Sequence, residues 1–242
     1  MRSSRSPRLV LRVAPAALVV TLIVGLAGCS SSKSSAGSAD PAALLVAARA
    51  DLAATQTVHF SLTSTDVPGG GTRLVAGEGV IARPKLFQGK FAIMLNGSQV
   101  SVDLISAGNK VYAKLPFSSG YQVTDPSAFG LSDPAELIDP QTGIARMFGE
   151  LTGVTDKGTL RIGDDVVTQV DGTLPGAVVG DLLTSADPAQ PVKAELYVTQ
   201  SGHELRRVVL TGPFFVKGQD STFNLLLDQY GAPVTITAPT AS

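Results

Sequence analysis

The residues that point most clearly to chemistry are Leu26-Ala27-Gly28-Cys29. Small residues directly before a cysteine form the bacterial lipobox, in which the cysteine sulfur receives a diacylglycerol and the cysteine becomes residue 1 of the mature protein. Cys29 is the only cysteine and follows an export signal. We therefore predict lipidation at Cys29, with palmitate among the acyl groups. An ordinary signal peptide with a chance cysteine, or a free buried thiol, is the alternative.

The segment before Cys29 has the parts of a secretory signal peptide. Four arginines up to Arg12 form a basic start, an apolar run from Val13 to Leu26 follows, and small residues mark the cleavage site. The run is too short to remain as a membrane-spanning helix. We predict a signal peptide over residues 1–28, so that the mature protein is anchored to the cell membrane and faces the periplasm-like space of the envelope.

Candidate catalytic and metal-binding residues are sparse in the rest of the chain. Neither His59 nor His203 has a second histidine at zinc-ligand spacing. Ser119-Gly120 lacks the glycine that precedes the serine in a hydrolase nucleophile elbow. We predict no catalytic residue, no metal site and no cofactor. An enzyme acting on envelope lipid stays open as an alternative, and its nucleophile and base would include one of the two histidines.

Three further motifs fit backbone geometry better than ligand binding. Gly77-Glu78-Gly79 lacks the third glycine of a nucleotide loop, so we interpret its glycines as sites of close packing in a strand. Asp164-Asp165 lacks the other ligands of a calcium loop and fits a hairpin turn. Asn96-Gly97-Ser98 has the letters of a glycosylation site, but Asn-Gly is a strong hairpin signal.

The charge balance excludes some classes of partner. Without residues 1–28 the chain has 214 residues, of which 15 are basic and 20 acidic, so its formal net charge is −5. A mildly acidic domain without a basic stripe is a poor candidate for binding nucleic acid, or for electrostatic attraction to membranes. No cysteine follows Cys29, so packing rather than disulfides must hold the fold.

The mature chain begins with a tether and a helix. Residues 29–39 are rich in Ser, Gly and Ala, which predicts a flexible tether. Asp40 is suited to cap a helix, Pro41 to begin it, and the apolar residues that follow at helical spacing predict a helix over 41–55. No long linker interrupts residues 40–242, which we predict to be a single domain.

After this helix the hydrophobic period changes from 3.6 to 2, which predicts strands. Five strands within about 60 residues indicate an antiparallel meander. Further on, the pattern predicts helices over 144–152 and 175–183. It also predicts three hairpins: one over 159–171, one over 194–211, and one in which a strand over 221–230 pairs with a strand over 233–237. The predicted class is therefore α+β, a large antiparallel sheet with a few helices on one face.

One face of this sheet carries many apolar side chains, and the three predicted helices are short for covering it. A strongly curved sheet with so little cover can enclose an apolar cavity, whereas an ordinary filled core is the alternative. Periodicity alone does not separate the two. The side chains predicted to line a cavity are Phe60, Leu62, Phe91, Ile93, Leu95, Val102, Leu104, Met147, Phe148, Val179 and Leu182.

Short motifs follow one another through the domain from Asp40 to Pro239. They are Asp40-Pro41-Ala42 with Leu44-Leu45, Thr57-Val58-His59, Asp139-Pro140 with Gly143, Gly158-Thr159 with Gly172-Thr173, Pro191, and Gly231-Ala232-Pro233-Val234-Thr235. In this order, behind a lipobox, they resemble the mycobacterial LppX/LprA/LprF/LprG lipoprotein family. The chain departs from that pattern in having no tryptophan, with Tyr197 and Tyr230 where relatives are expected to carry one, and in the order Gly163-Asp164 at the middle turn.

The resemblance implies a half-barrel antiparallel sheet with helices on its concave face, similar to the LolA and LolB carriers. It implies an apolar cavity for the acyl chains of a triacylated lipid or glycolipid, which the protein would carry between the inner membrane and the outer cell envelope. A lipid transporter is a candidate partner. The alternative is a structural or interaction lipoprotein of the envelope with a filled core and no lipid ligand.

Overall fold

The computed structural model describes residues 40–240 with the exception of Asn96. The predicted signal peptide over 1–28, the lipidation site Cys29 and the tether over 29–39 lie outside the described residues. Among the described residues no helix is both long enough and apolar enough to span a membrane.

The framework is an antiparallel sheet. Its eleven strands are β1 (Thr57–Thr65), β2 (Thr72–Ala82), β3 (Leu86–Leu95), β4 (Ser98–Ala107), β5 (Lys110–Lys114), β6 (Gln122–Thr124), β7 (Thr152–Ile162), β8 (Asp165–Leu174), β9 (Val192–Thr199), β10 (Leu205–Val216) and β11 (Gln219–Asp228). From β1 to β6 and from β7 to β11 each strand pairs with the next one along the chain, and these two halves meet where β1 pairs with β11. The spatial order therefore runs from β6 to β1, then from β11 to β7. The sheet is open, because β6 and β7 are its two edges.

The helical cover consists of short elements that pack on one face. These are α1 (Pro41–Ala54), α2 (Ile144–Glu150), α3 (Gly176–Gly180) and two turns of 3₁₀ helix, Pro126–Phe129 and Pro134–Glu136. All three α-helices contribute side chains to one main hydrophobic core with the strands beneath them. Within the described residues, one core thus joins the three α-helices to the sheet, as a self-standing folding unit requires.

Helix α1 begins and ends as the sequence predicts. The Asp40 carboxylate accepts a hydrogen bond from the backbone N–H of Ala42 at 3.0 Å, and Pro41 occupies the first helical position. Leu44, Leu45, Ala48 and Leu52 lie at helical spacing and are buried. The helix ends where Thr55 becomes extended, and its hydroxyl donates to the Asp51 carbonyl.

The first five strands confirm the predicted meander. Leu95 pairs with Ser98, which leaves two residues for the turn between β3 and β4; one of them, Asn96, lies outside the described residues. Ala107 pairs with Lys110, and between them Gly108 and Asn109 both have positive φ. Two-residue turns of this kind match the twist of the flanking strands and favour Asn and Gly.

Glycines on the inner face of β2 and β3 allow three aromatic rings to lie against the backbone. Phe60, Phe87 and Phe91 form a cluster with ring centroids 5.8 to 6.0 Å apart. A Cβ on Gly77 would lie 2.3 Å from the Phe91 ring, and one on Gly79 would lie 2.5 Å from the Phe87 ring. The predicted role of Gly77 and Gly79 in close packing is therefore confirmed.

The last predicted hairpin is wrong. Strand β11 ends at Asp228 and pairs on one side with β10 and on the other with β1, so no edge is left for residues 233–237. These residues have no strand structure. Ile236 instead packs on the opposite face of the sheet from the main core, against Ala82, Ile105 and Ala107.

Other predicted boundaries shift by a few residues for local reasons. The middle hairpin is longer than predicted, because β7 begins at Thr152, directly after α2, and β8 continues to Leu174. Ile162 pairs with Asp165, which leaves Gly163-Asp164 as its two-residue turn and confirms the hairpin interpretation of the aspartates. Helix α3 comprises only five residues.

Candidate functional site

An apolar cavity of about 70 Å³ lies between the sheet and its cover. Its floor comes from four strands in the middle part of the sheet, β1, β3, β10 and β11, which contribute Phe60, Leu62, Phe91, Val208, Leu210, Phe223 and Leu225. Its roof comes from the segment between β6 and β7 and from the end of the α3 region, which contribute Leu131, Ser132, Asp133, Pro134, Leu137, Ile144, Met147, Leu182 and Leu183.

The pairing of β1 with β11 creates this floor. Leu62 lies opposite Leu225, which in turn lies opposite Val208. Side chains directly opposite one another in a sheet point to the same face. Residues separated by more than 140 positions in the chain thus form one continuous apolar surface.

The roof segment is held by hydrogen bonds at its turns. The Asp133 carboxylate caps the second 3₁₀ turn by accepting the Ala135 N–H at 3.0 Å, and it also accepts a hydrogen bond from the Ser106 hydroxyl of β4. The backbone N–H of Ser132 donates to the Leu182 carbonyl at 3.1 Å. These bonds connect the roof to the sheet on one side and to the α3 region on the other.

Arg83 connects three parts of the structure through backbone carbonyls. Its guanidinium donates to the carbonyl of Thr55 at 2.7 Å, to that of Leu52 and to that of Ile138. The first two belong to the C-terminal end of α1, where a cation is electrostatically favoured. The third belongs to the roof segment. Arg83, at the end of β2, therefore fixes α1 and the roof to each other and to the sheet.

The Asp139-Pro140 motif with Gly143 forms the entry to α2. Partial burial acts to raise the pKa of Asp139, but hydrogen bonds from the backbone N–H groups of Gln141 and Thr142 outweigh it and hold that pKa below its usual value. A Cβ on Gly143 would lie 2.4 to 2.7 Å from three backbone carbonyl oxygens. The loop is therefore too compact there for any residue except glycine.

The structure brings five of the predicted lining residues together around the cavity: Phe60, Leu62, Phe91, Met147 and Leu182. Five more are buried in the same core without bordering the cavity: Ile93, Val102, Leu104, Phe148 and Val179. Leu95 is 43% exposed, because it is the last residue of β3 and lies next to the hairpin turn. The prediction that Leu95 lines the cavity is therefore wrong. That any of these residues contacts lipid remains a prediction.

Sequence reasoning missed the half of the floor that comes from β10 and β11. The signal was present in β11, since Phe223 and Leu225 alternate with half-buried neighbours, whereas in β10 Val208, Val209 and Leu210 are buried in succession. What was missing was the pairing of β1 with β11, which no local pattern shows. The roof residues Leu131, Leu137, Ile144 and Leu183 lie in turns and short helices, where periodicity carries little information.

The cavity is too small for an acyl chain in this conformation. At about 70 Å³ it has roughly half the volume of a ~150 Å³ cavity that admits benzene. Its lining is almost entirely apolar, with Ser132 and Asp133 as the polar exceptions. A long-chain ligand can enter only if the roof moves away from the floor.

On the opposite face of the sheet, His59 and Asp228 form a cross-strand pair. The His59 Nδ1 lies 2.6 Å from an Asp228 carboxylate oxygen, and the two residues are register partners in β1 and β11. The residues lining the adjoining shallow groove include no serine, so this pair lacks the hydroxyl that a Ser-His-Asp arrangement requires. Within residues 40–240, Asn96 aside, no group of three or more potential metal ligands occurs.

The two tyrosines expected to replace tryptophan both have hydrogen-bond partners. The Tyr197 hydroxyl donates to the Glu195 carboxylate, and burial, together with that bond, raises the pKa of Tyr197 to about 12. The Tyr230 hydroxyl donates to the Leu205 carbonyl, and burial raises its pKa well above the ordinary value. Each ring thus packs against the sheet while its polar end stays paired.

The amino-acid sequence of the chain matches a known protein family. The sequence profile described as LppX_LprAFG lipoprotein matches residues 40–236. The chain is 26% identical over 235 residues to the lipoarabinomannan carrier protein LprG of Mycobacterium tuberculosis, covering 96% of each chain.

Two solved structures have a similar fold at low sequence identity. LprF from Mycobacterium bovis matches with a TM-score of 0.62 and 18% identity, over 82% of this chain and 96% of that one. Lipoprotein LppX from Mycobacterium tuberculosis matches with a TM-score of 0.59 and 18% identity, over 81% of this chain and 98% of that one. The predicted open antiparallel sheet with few helices is therefore confirmed.

Proposed function

Because the chain belongs to the LppX_LprAFG lipoprotein family, we propose that it is a lipid carrier rather than an enzyme. It binds the acyl chains of a triacylated lipid or glycolipid between its sheet and its helical roof, and carries that lipid between the inner membrane and the outer cell envelope. A relative that aligns over almost its whole length bears the name of a lipoarabinomannan carrier, which supports a glycolipid as the class of ligand.

The observation that carries this proposal is the apolar cavity beneath the roof. Sixteen residues line it and only two of them are polar, so it offers burial and almost no hydrogen bonding. Each methylene group removed from water contributes about 0.8 kcal/mol, so a long acyl chain in water costs on the order of 10 kcal/mol. A site with so few polar groups suits a ligand that is recognised through its acyl chains.

The mechanism requires an opening step. The roof rests on apolar contacts and on a small number of polar contacts, among them those of Asp133, Ser132 and Arg83. Moving the roof outward exposes the central strands and enlarges the space between the two layers. Acyl chains then replace the roof-to-floor contacts that are lost. The closed conformation keeps the apolar floor away from water when no ligand is bound.

Native mass spectrometry of the domain, residues 40–242, tests the proposal most directly. The domain is exported behind a signal peptide without the lipobox cysteine, purified from the envelope of the producing cell and sprayed without denaturation, and the lipid extracted from a parallel sample is identified. We expect a bound mass that corresponds to an acylated lipid with two or three chains. A domain that carries no lipid, and that takes up none when incubated with triacylated glycolipid, would contradict a carrier function.

A second candidate is a structural or interaction lipoprotein with a filled core. The small closed volume of the cavity, about 70 Å³, favours it. The two candidates differ in what lipid does to the domain. For a carrier, saturating acylated lipid raises the melting temperature, because ligand that binds only the folded state stabilises it. For a filled core, lipid leaves that temperature unchanged.

The proposed anchor is a diacylglyceryl group on Cys29. Two acyl chains hold a protein stably on a bilayer where one gives only marginal attachment. The ten residues 30–39 between the anchor and Asp40 span at most about 35 Å when extended. The domain would thus stay close to the membrane from which it receives its ligand, on the side that faces the envelope.

A further inference from the structure

The connection between β5 and β6 ends in an exposed apolar protrusion. Phe117 is fully exposed, Leu115 is 46% exposed and Val123, in β6, is 56% exposed. Leu115 and Phe117 lie in the same turn, and we call these two residues the apolar tip. From Leu115 to Tyr121 the chain contains no charged residue. Single exposed apolar residues are ordinary on protein surfaces, but a fully exposed phenylalanine beside a second exposed apolar residue, in an uncharged turn, indicates an interaction site.

The backbone at Phe117 strengthens this interpretation. The Leu115 carbonyl accepts a hydrogen bond from the Ser118 N–H at 3.1 Å, with Pro116 and Phe117 as the central residues of the turn. Phe117 has a φ of 69°, in the left-handed region where such turns favour glycine. A bulky side chain at this position is unfavourable for the backbone. Because the ring is also fully exposed, it makes no packing contribution to the fold that would offset the strain.

The turn itself is firmly built, so the exposed ring is held in place. The Ser118 hydroxyl lies 2.8 Å from the Leu115 carbonyl oxygen and 3.1 Å from that of Gly120, and it shares its one proton between them. The strand pairing between β5 and β6 continues beside it, with Tyr112 opposite Val123. The tip therefore projects from an ordered edge of the sheet.

We propose that the apolar tip docks the domain on a lipid bilayer by inserting its side chains into the interface. A bilayer is the occupant that fits the rest of the chain, because an anchor at Cys29 and a segment of about 35 Å at full extension would keep the domain beside a membrane. In this respect the inference rests on the proposed lipidation. A tether of this length gives the domain a high effective concentration at the membrane, so a weak contact is enough to orient it. Because the net charge of the mature chain is −5, binding to the bilayer comes from the burial of apolar side chains and not from electrostatic attraction.

The chain has no tryptophan, so a single introduced tryptophan reports on one position. The Phe117→Trp variant of the domain, residues 40–242, is mixed with phosphatidylcholine vesicles. We expect a blue-shifted emission and quenching by brominated lipid. Leu160→Trp is the matched control, since Leu160 is 36% exposed on β7, the opposite edge strand of the sheet. Its emission should not change.

A second variant separates docking from folding. Phe117→Gly relieves the backbone at a position that favours glycine, so it should keep or raise the melting temperature. It should lower vesicle partitioning by about tenfold or more, as expected for the loss of one buried aromatic side chain. Unchanged emission of Phe117→Trp with vesicles, or unchanged partitioning of Phe117→Gly, would overturn the proposal, and the tip would then be assigned to a protein partner. The assay uses neither the anchor nor bound cargo, so it does not depend on lipid carriage.

Discussion

Met147 is one of two α2 residues that border the cavity, with Ile144, and its side chain is buried in the roof. Flexible methionine side chains fill irregular spaces and adapt when a ligand enters. Val179, by contrast, is completely buried in α3 and does not border the cavity. The two positions therefore distinguish space available to a ligand from space already filled.

Replacing Met147 with tryptophan should block lipid binding more than it lowers stability, because the larger ring occupies the cavity. The matched Val179→Trp variant should lose roughly 1–3 kcal/mol or more of its free energy of unfolding, since a filled core has no room for the ring. Titration with an acylated fluorescent lipid and thermal unfolding measure the two effects. If Met147→Trp bound lipid as well as the unmodified protein, this cavity would not be the lipid site.

Tyr197 makes stability depend on pH in the alkaline range. Its pKa is raised from 10.0 to about 12 by burial first and by its bond to Glu195 second. The folded state thus holds the phenolic proton more tightly than the unfolded state does. The resulting contribution to stability is complete below pH 10 and is lost as the pH rises towards 12.

Unfolding by denaturant at several alkaline pH values measures this contribution. The free energy of unfolding should fall across that window, and Tyr197→Phe should make the fall smaller. Tyr121→Phe is the control variant. The pKa of Tyr121 is also raised, but Tyr121 has no carboxylate hydrogen-bond partner among the described residues. An identical pH profile for Tyr197→Phe and the unmodified protein would show that Tyr197 does not cause the alkaline loss of stability.

Among the secondary structure elements, the roof depends on Arg83 for its attachment to α1 and β2. The Arg83→Gln variant cannot reach the three carbonyls together, so the roof should open more often. Amide hydrogen exchange over residues 126–150 should accelerate severalfold, and lipid uptake should be faster. Local opening is what such exchange measures.

Lys85→Gln is the control for this variant. Lys85 lies two residues away and forms an exposed ion pair with Glu136 of the roof at 3.1 Å. Exposed ion pairs contribute about 0–1 kcal/mol, so exchange in the roof should change little. Equal exchange rates in Arg83→Gln and Lys85→Gln would show that Arg83 has no special role in closure.

The contact between β2 and β3 depends on glycine at both strands. A Cβ on Gly89 would lie 2.3 Å from the Glu78 carbonyl oxygen and 2.6 Å from the Phe87 ring. Gly89→Ala should therefore cost roughly 1–3 kcal/mol, as overpacking usually does. Gly180, at the end of α3, has open space around it, and Gly180→Ala should be neutral. Urea denaturation compares the two, and equal stabilities would contradict close packing at Gly89.

At the scale of the whole molecule, folding and anchoring belong to separate parts of the chain. The core and the eleven-stranded sheet of the described residues begin after Asp40, whereas the predicted lipidation site is Cys29. Cys29→Ala should therefore release the protein from membranes and leave the melting temperature of the domain unchanged. Membrane fractionation and thermal unfolding test this. If the variant remained in the membrane fraction as fully as the unmodified protein, the lipobox would not be its anchor.

Local sequence patterns predicted most of the elements and the class of the fold. Asp40 and Pro41 mark the start of α1 because capping depends only on neighbouring residues. Gly108-Asn109 marks a hairpin because a two-residue turn needs positive φ. The inward direction of Phe60, Leu62 and Phe91 followed from the period of two. The same patterns, together with the resemblance of the motifs, led to the correct family.

Only the tertiary structure decided where the cavity lies and which residues line it. The floor required the pairing of β1 with β11, a contact between distant parts of the chain that no local period records. The same pairing removed the edge that residues 233–237 needed for a strand. The volume of the cavity and the exposure of Leu95 and Phe117 depend on how far the cover extends over the sheet. Periodicity determines the face to which a side chain points, whereas burial depends on what packs above it.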